Sequence, residues 1–181
     1  MELNVDEVLK LRSLAIGDSQ QLFDLTEKNR NHLREWLPWL DSNLALEDTQ
    51  EFIDGTIQQE AANNGITCAI VKNEKIVGVC GHHKINWSNR SVLIGYWLDK
   101  DEEGQGIITK ATKKILEYSF EVLDLNLVEI SAATSNEKSK AIPERLGFKF
   151  EGVLRQREWL YDHFVDHAIY SILKSEWLED F

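Results

Sequence analysis

Apolar and polar residues alternate, cluster and change period along the chain in a way that marks out its elements. Residues 7–13 alternate as a strand does, with Leu9 and Leu11 set between Lys10 and Arg12. Asp18 stands where an N-cap would open a helix carrying Leu22, Phe23 and Leu25, and Asp48 or Thr49 stands likewise ahead of Phe52, Ile53 and Ile57. Three strand-like runs follow, at 66–72, 76–87 and 91–99. The turn-forming triplets Asn73-Glu74-Lys75 and Ser88-Asn89-Arg90 separate them, which predicts an antiparallel meander. The period then lengthens: Ile108, Ala111, Ile115, Tyr118 and Val122 recur at helical spacing, with Lys110, Lys113, Lys114, Glu117 and Glu121 on the other face. Residues 127–133 read as a strand, 137–145 as a short helix ending at Gly147, and 148–160 with 164–173 as a closing hairpin. No repeat or linker interrupts this order. The fold class is α+β, a mixed, mostly antiparallel central sheet flanked by helices, with one β-α-β crossover.

A chain of 181 residues, 43% of them hydrophobic, encloses one core and leaves little for a second, so a single domain over 1–181 is expected. No stretch approaches the roughly 20 apolar residues of a membrane span. The start, MELNVDEVLKLRSL, lacks a basic n-region and a cleavage site, so no membrane association and a cytoplasmic location are expected. Cys68 and Cys80 lie in apolar strand-like runs and are expected to be free thiols. The net charge of −11 argues against a nucleic-acid partner and suits a cationic substrate. Charge alone names no partner, because acidity also serves solubility.

The chemistry is concentrated in Glu103-Gly104-Gln105-Gly106-Ile107-Ile108-Thr109, where two glycines stand at the junction from strand to helix. Glycine there permits positive φ and close backbone approach, and the free N–H groups of the helix start form an anion site reinforced by the helix dipole. An ordinary turn would also account for so short a motif. A dinucleotide fold would need the glycines after the first strand of a parallel βαβ unit, and a nucleotide-phosphate loop would need Gly-Lys-Ser/Thr; neither occurs.

With Ile94-Gly95-Tyr96-Trp97-Leu98 before this loop and Asn136-x-x-Ser139-x-x-x-Pro143-x-x-Leu146-Gly147-Phe148 after it, the chain resembles the GCN5-related N-acetyltransferase (GNAT) superfamily. The resemblance covers nearly the whole chain, and its details are most similar to the Rim-type ribosomal-protein alanine N-acetyltransferases. It implies the GNAT fold and acetyl-CoA as cosubstrate, and as acceptor a basic protein N-terminus, that of a ribosomal protein above all. The pyrophosphate would lie on the backbone of Gly104, Gln105, Gly106, Ile107, Ile108 and Thr109, and the pantetheine on the backbones of Trp97 and Leu98 in a splayed strand. One of those two amides would polarise the thioester carbonyl.

The chain departs from the family at three places. Glu103 stands where Gln or Arg is usual and Ile108 where Gly or Ala is usual; the charge of Glu103 would be offset by Lys110, Lys113 or Lys114. Pro143 replaces the tyrosine that protonates the departing thiolate in many members. Ser139, one turn earlier, is then the expected donor, with Asn136 holding the pantetheine or a water. Without the resemblance, Asn136 reads as an N-cap and Ser139 as a first-turn serine. The resemblance points to Glu158 as general base; on composition alone it would be a solvated strand glutamate.

His82 and His83, adjacent on a strand, point to opposite faces, and no Cys/His cluster backs them, so no metal is expected. No Gly-x-Ser-x-Gly elbow supports a serine hydrolase. Trp36, Leu37, Trp39 and Leu40 around Pro38 belong either to the core or to an acceptor channel. Three other functions share these features: a small-molecule acetyltransferase acting on polyamines or aminoglycosides, a non-catalytic acyl-CoA-binding regulator, and an interaction protein using Trp36, Trp39 and Trp177 as a surface. A homodimer is expected.

Overall fold

The computed structural model describes residues 1–180, with side chains through Trp177; Phe181, the end of the expected domain, lies outside the described residues. In chain order the elements are β1 (Glu2–Asn4), β2 (Leu9–Ser13), α1 (Ser19–Arg34), α2 (Leu46–Ala61), β3 (Thr67–Lys72), β4 (Lys75–His82) and β5 (Ser91–Leu98). They continue as α3 (Ile107–Glu117), β6 (Leu127–Ala133), α4 (Glu137–Arg145), β7 (Lys149–Leu160), β8 (His163–Leu173) and α5 (Lys174–Asp180). The eight strands of the described residues form one sheet in the order β1-β2-β3-β4-β5-β6-β8-β7. Every pairing is antiparallel except β5 with β6, which the α3 crossover joins in parallel. This is the expected α+β GNAT architecture.

Alternation along β5 divides the core into two layers. Ile94 and Leu98 are buried with Ile107, Ala111 and Ile115 of α3, whereas Trp97 packs with Leu22 and Leu25 of α1 and Ile53 of α2 on the opposite face. Trp177 is only 4% exposed and tilts against Phe120, so it is a core residue and no part of a contact surface. Cys68 and Cys80 are buried free thiols, opposite one another on β3 and β4. Among the described residues, no helix is long and apolar enough to cross a membrane.

Several expectations need correction. Asp18 does precede α1, but its carboxylate makes no cap bond: it takes both guanidinium nitrogens of Arg12, at 2.6 and 2.7 Å, and the Ala15 N–H. α2 starts at Leu46, before Asp48, because Asp48 reaches back to the N–H groups of Leu44 and Ala45. The strand expected to run to Trp87 stops at His82; beyond it the chain folds back through the Asn86–Ser91 bridge, and the Trp87 indole donates to the Asn63 carbonyl. Val122 leaves the buried stripe and is 65% exposed, because α3 passes into a π-helical turn, Tyr118–Val122, whose longer period rotates it outward.

That turn anchors a buried histidine. His82 stacks on Tyr118, its Nε2 lies 2.8 Å from Ser119 Oγ, and its Nδ1 accepts from the Ile66 N–H. Burial pushes its pKa down from 6.5 to about 4, with the charge of His83 acting in the same direction. The unfolded chain thus takes up this proton near pH 6.5 and the folded chain only near 4, so stability is present above that window and lost as pH falls through it. The gap corresponds to about 3 kcal/mol at 1.36 kcal/mol per unit. Denaturant unfolding at about pH 7.5 and pH 4.5 should show most of this loss in the wild type and a much smaller one in His82→Gln; equal losses would assign the acid sensitivity to other groups.

Candidate active site

The site begins where two parallel strands part. β5 and β6 pair only from Ser91↔Leu127 to Ile94↔Ile130, while β5 stays with β4 to Leu98 and β6 stays with β8 to Ala133. The V-shaped gap beyond Ile94 floors a groove of about 1830 Å³, walled by the end of α1 with residues 35–39, the starts of α3 and α4, and the β7-β8 hairpin.

Strand pairing decides which backbone groups face the gap. Asp99 N–H donates to Val77 and His83 N–H to Leu93, so the odd positions of β5, Trp97 included, exchange their hydrogen bonds with β4. Trp97 is therefore corrected as a backbone donor: its peptide faces Val79, while Tyr96 and Leu98 turn theirs toward the gap. The Trp97 indole lies on the α1 side, tilted against Trp39.

At one end of the groove Gly104 and Gly106 adopt φ of +77° and +72°, and an added Cβ at either would meet nothing within 4 Å. The chain thus makes a left-handed turn into α3 and leaves open space over the helix start. Lys110 N–H to Gly106 makes the first turn's bond, so the amides of Ile107, Ile108 and Thr109 have no carbonyl within the helix. Both glycines, Ile107, Ile108 and Thr109 line the groove. The Gln105 side chain turns away to Lys72 and Glu102, leaving only its backbone for the loop. These residues fit an anionic pyrophosphate.

Glu103 is neutralised otherwise than expected. Lys138 donates to one carboxylate oxygen at 2.5 Å and His32 Nε2 lies 2.9 Å from the other. Burial works against its ionisation, but these two contacts outweigh it and hold the carboxyl below its usual range. Lys110 instead pairs with Asp6 and Lys114 with Glu117, and Lys113 reaches over the Trp177 ring.

Ser139 sits in the first turn of α4, facing the same groove. Asn136 caps that helix, its Oδ1 accepting the Ser139 N–H at 3.0 Å, so the N-cap reading of its carbonyl holds. Pro143, inside α4, has no N–H for the carbonyl four residues back, which is that of Ser139. The Tyr96 hydroxyl supplies the missing donor from β5, at 3.1 Å, and lies 3.3 Å from Ser139 Oγ. Burial pushes the Tyr96 phenol upward, so it stays protonated and can donate.

Glu158 lies farther along the groove. β7 sets three residues, 155–157, against Asp166 alone, because Leu154 pairs with His167 and Glu158 with Val165. Asp166 accepts the Gln156 N–H at 2.7 Å, with Gln156 at φ +51°, and this bulge brings Glu158 beside His167. His167 Nδ1 contacts Ser131 Oγ at 2.7 Å; its enclosed Nε2 is 3.4 Å from Glu158 yet makes no aligned hydrogen bond. His83 also lines the groove, in room left by Gly95, where a Cβ would come within 2.8 Å of its ring. Trp36, Leu37 and Trp39 line the wall, while Leu40 is buried core. The Tyr161 hydroxyl donates to the Leu37 carbonyl and Arg34 stacks on its ring, tying this wall to the β7-β8 hairpin. Among the described residues, no group of three or more His, Cys, Asp or Glu is placed to hold a metal.

Ser139, Glu158 and most of the expected cofactor residues thus share one groove. Tyr96, Ser131, His83 and His167 were not anticipated there. The one local signal was Tyr96 within Ile94-Gly95-Tyr96-Trp97-Leu98.

Comparison with known proteins identifies the family and the fold. YdaF of Bacillus subtilis (strain 168), a proposed ribosomal N-acetyltransferase, is 38% identical over 176 residues, covering 96% of this chain and 95% of its own. The ribosomal-protein-serine acetyltransferase of Escherichia coli (strain K12) is 30% identical, covering 93% and 94%. The solved structure of RimL, a ribosomal L7/L12 alpha-N-protein acetyltransferase in complex with coenzyme A, superposes with a TM-score of 0.93 at 25% identity, covering 96% and 98%. The acetyltransferase (GNAT) domain family matches residues 9–149, and the chain belongs to it as an acetyl-CoA N-acetyltransferase.

Proposed function

We propose that this enzyme transfers the acetyl group of acetyl-CoA to the N-terminal α-amino group of a basic protein, a ribosomal protein above all, by direct transfer in a ternary complex. The observation that carries the reading is the single groove holding an anion-binding helix start, a serine hydroxyl and, beyond it, a carboxylate. The names of the relatives support the acceptor class.

In this mechanism the amides of residues 104–109 hold the pyrophosphate, and the backbones of Tyr96 and Leu98 hold the pantetheine with the Asn136 amide nitrogen. One of those two β5 amides polarises the thioester carbonyl. The neutral amine attacks that carbon and the C–S bond breaks. Ser139 Oγ protonates the departing thiolate and regains a proton from solvent, and Glu158, directly or through water, takes the ammonium proton and releases it to solvent. The reading includes a cytoplasmic homodimer acting without metal, membrane or nucleic acid. Mass spectrometry of ribosomal proteins treated with enzyme and acetyl-CoA tests the acceptor; acetylation of polyamines with none of the proteins would transfer the assignment to a small-molecule enzyme.

The net charge of −11 adds a second test. Raising ionic strength should increase KM for a basic protein acceptor much more than KM for acetyl-CoA, which local backbone donors hold. A short neutral peptide with the same N-terminal residue should show little change. Equal responses from the two acceptors would make the acidity a solubility feature only.

A further inference from the structure

Tyr96 and Ser139 stand on opposite walls of the cleft. Tyr96 belongs to β5 beyond its last pair with β6, and Ser139 to the first turn of the helix that follows β6. The hydroxyl of Tyr96 is the contact that joins them, to both the carbonyl and the Oγ of the same serine.

The reason for this strut lies in Pro143. A proline at that position withdraws the N–H that would satisfy the Ser139 carbonyl, and its ring pushes that carbonyl outward. A carbonyl in a partly buried first turn needs another donor, and here the sheet provides it. A phenol has one proton. Given to the carbonyl, it leaves the phenol oxygen as a resting acceptor for Ser139 Oγ–H, which fixes the serine rotamer until that O–H turns to the departing sulfur. In an ordinary helix the carbonyl would be served from within, and nothing would tie the serine to β5.

We propose that Tyr96 is the positioning residue of the leaving-group donor, and that Pro143 is the substitution that makes this strut necessary. The inference rests on Ser139 as the donor. The Tyr96 side chain touches no reacting atom; its hydroxyl holds Ser139 Oγ where the thiolate departs.

The test is a set of variants assayed with acetyl-CoA and a short peptide bearing a free N-terminal amine, each also melted in solution. Tyr96→Phe should lower kcat about 10-fold with KM for acetyl-CoA within about two-fold, and should lower Tm by about 3 °C for the orphaned carbonyl. Adding Pro143→Ala, which restores the helix bond, should recover Tm and leave kcat low, since the hydroxyl tie stays broken. In a Ser139→Ala background, Tyr96→Phe should have no further effect on kcat, because its action passes through that serine. Recovery of kcat together with Tm in the Tyr96→Phe/Pro143→Ala enzyme would overturn the proposal by reducing Tyr96 to a helix prop. Additive losses with Ser139→Ala, or an unchanged Tm in Tyr96→Phe, would overturn it too, and the melts are decisive even without turnover. Full activity in Ser139→Ala alone would instead remove the donor assignment beneath it.

Discussion

Replacing Ser139 with alanine is expected to lower kcat by roughly 10- to 1,000-fold, the scale of a lost general acid, with the acetyl-CoA Kd within about two-fold. The thiolate leaves poorly unless it is protonated as the C–S bond breaks, and Pro143 stands where the family resemblance implies a tyrosine for that step. The Ser139 hydroxyl faces the groove from the first turn of α4, and Asn136 and Tyr96 hold its residue in place. Removal of Oγ leaves the cap bond intact, because Asn136 accepts from the backbone N–H of residue 139 and needs no side chain there. Stopped-flow turnover beside calorimetric binding separates chemistry from affinity. A kcat within a factor of two of wild type would give the proton to water or to another donor.

Replacing Gly106 with valine is expected to weaken acetyl-CoA binding by more than about 100-fold. At φ +72° a β-branched residue pays a steric cost of about 1–2 kcal/mol, and its methyl groups enter the open space above the amides of Ile107 to Thr109. Gly106→Ala, whose Cβ meets nothing within 4 Å, should bear the backbone strain alone and lose only several-fold. A melt near that of the wild type separates lost binding from lost fold. Equal affinity in the glycine, alanine and valine proteins would remove the phosphate from this loop.

Much of this was legible because the governing interactions are local. Alternation located the meander, and the change of period after Gly106 located the crossover helix. A pair of glycines before that helix marked a backbone that other residues adopt only under strain. Legibility failed where a distant partner decides. Asp18 resembles a cap until Arg12 claims both its oxygens across the β2-α1 connection. β1 is too short to show a period, and α5 carries no start signal distinct from the strand before it. At the site, Tyr96 meets Ser139 across 43 positions and His167 meets Ser131 across 36, and no spacing rule reaches that far. Trp97 was misassigned for a subtler reason: alternation tells which face a side chain takes, but only the neighbouring strand tells where its peptide points.

The bulge in β7 has an arithmetic of its own. Three residues opposite Asp166 make a surplus of two, and an even surplus leaves Leu154, Glu158 and His167 on one face of the sheet; a surplus of one would turn Glu158 to the other. Two residues of strand correspond to about 7 Å. Paired without the surplus, Glu158 would stand opposite His163, out at the tip of the hairpin. The pairing of β7 with β8 therefore sets where Glu158, the proposed proton acceptor, stands along the hairpin.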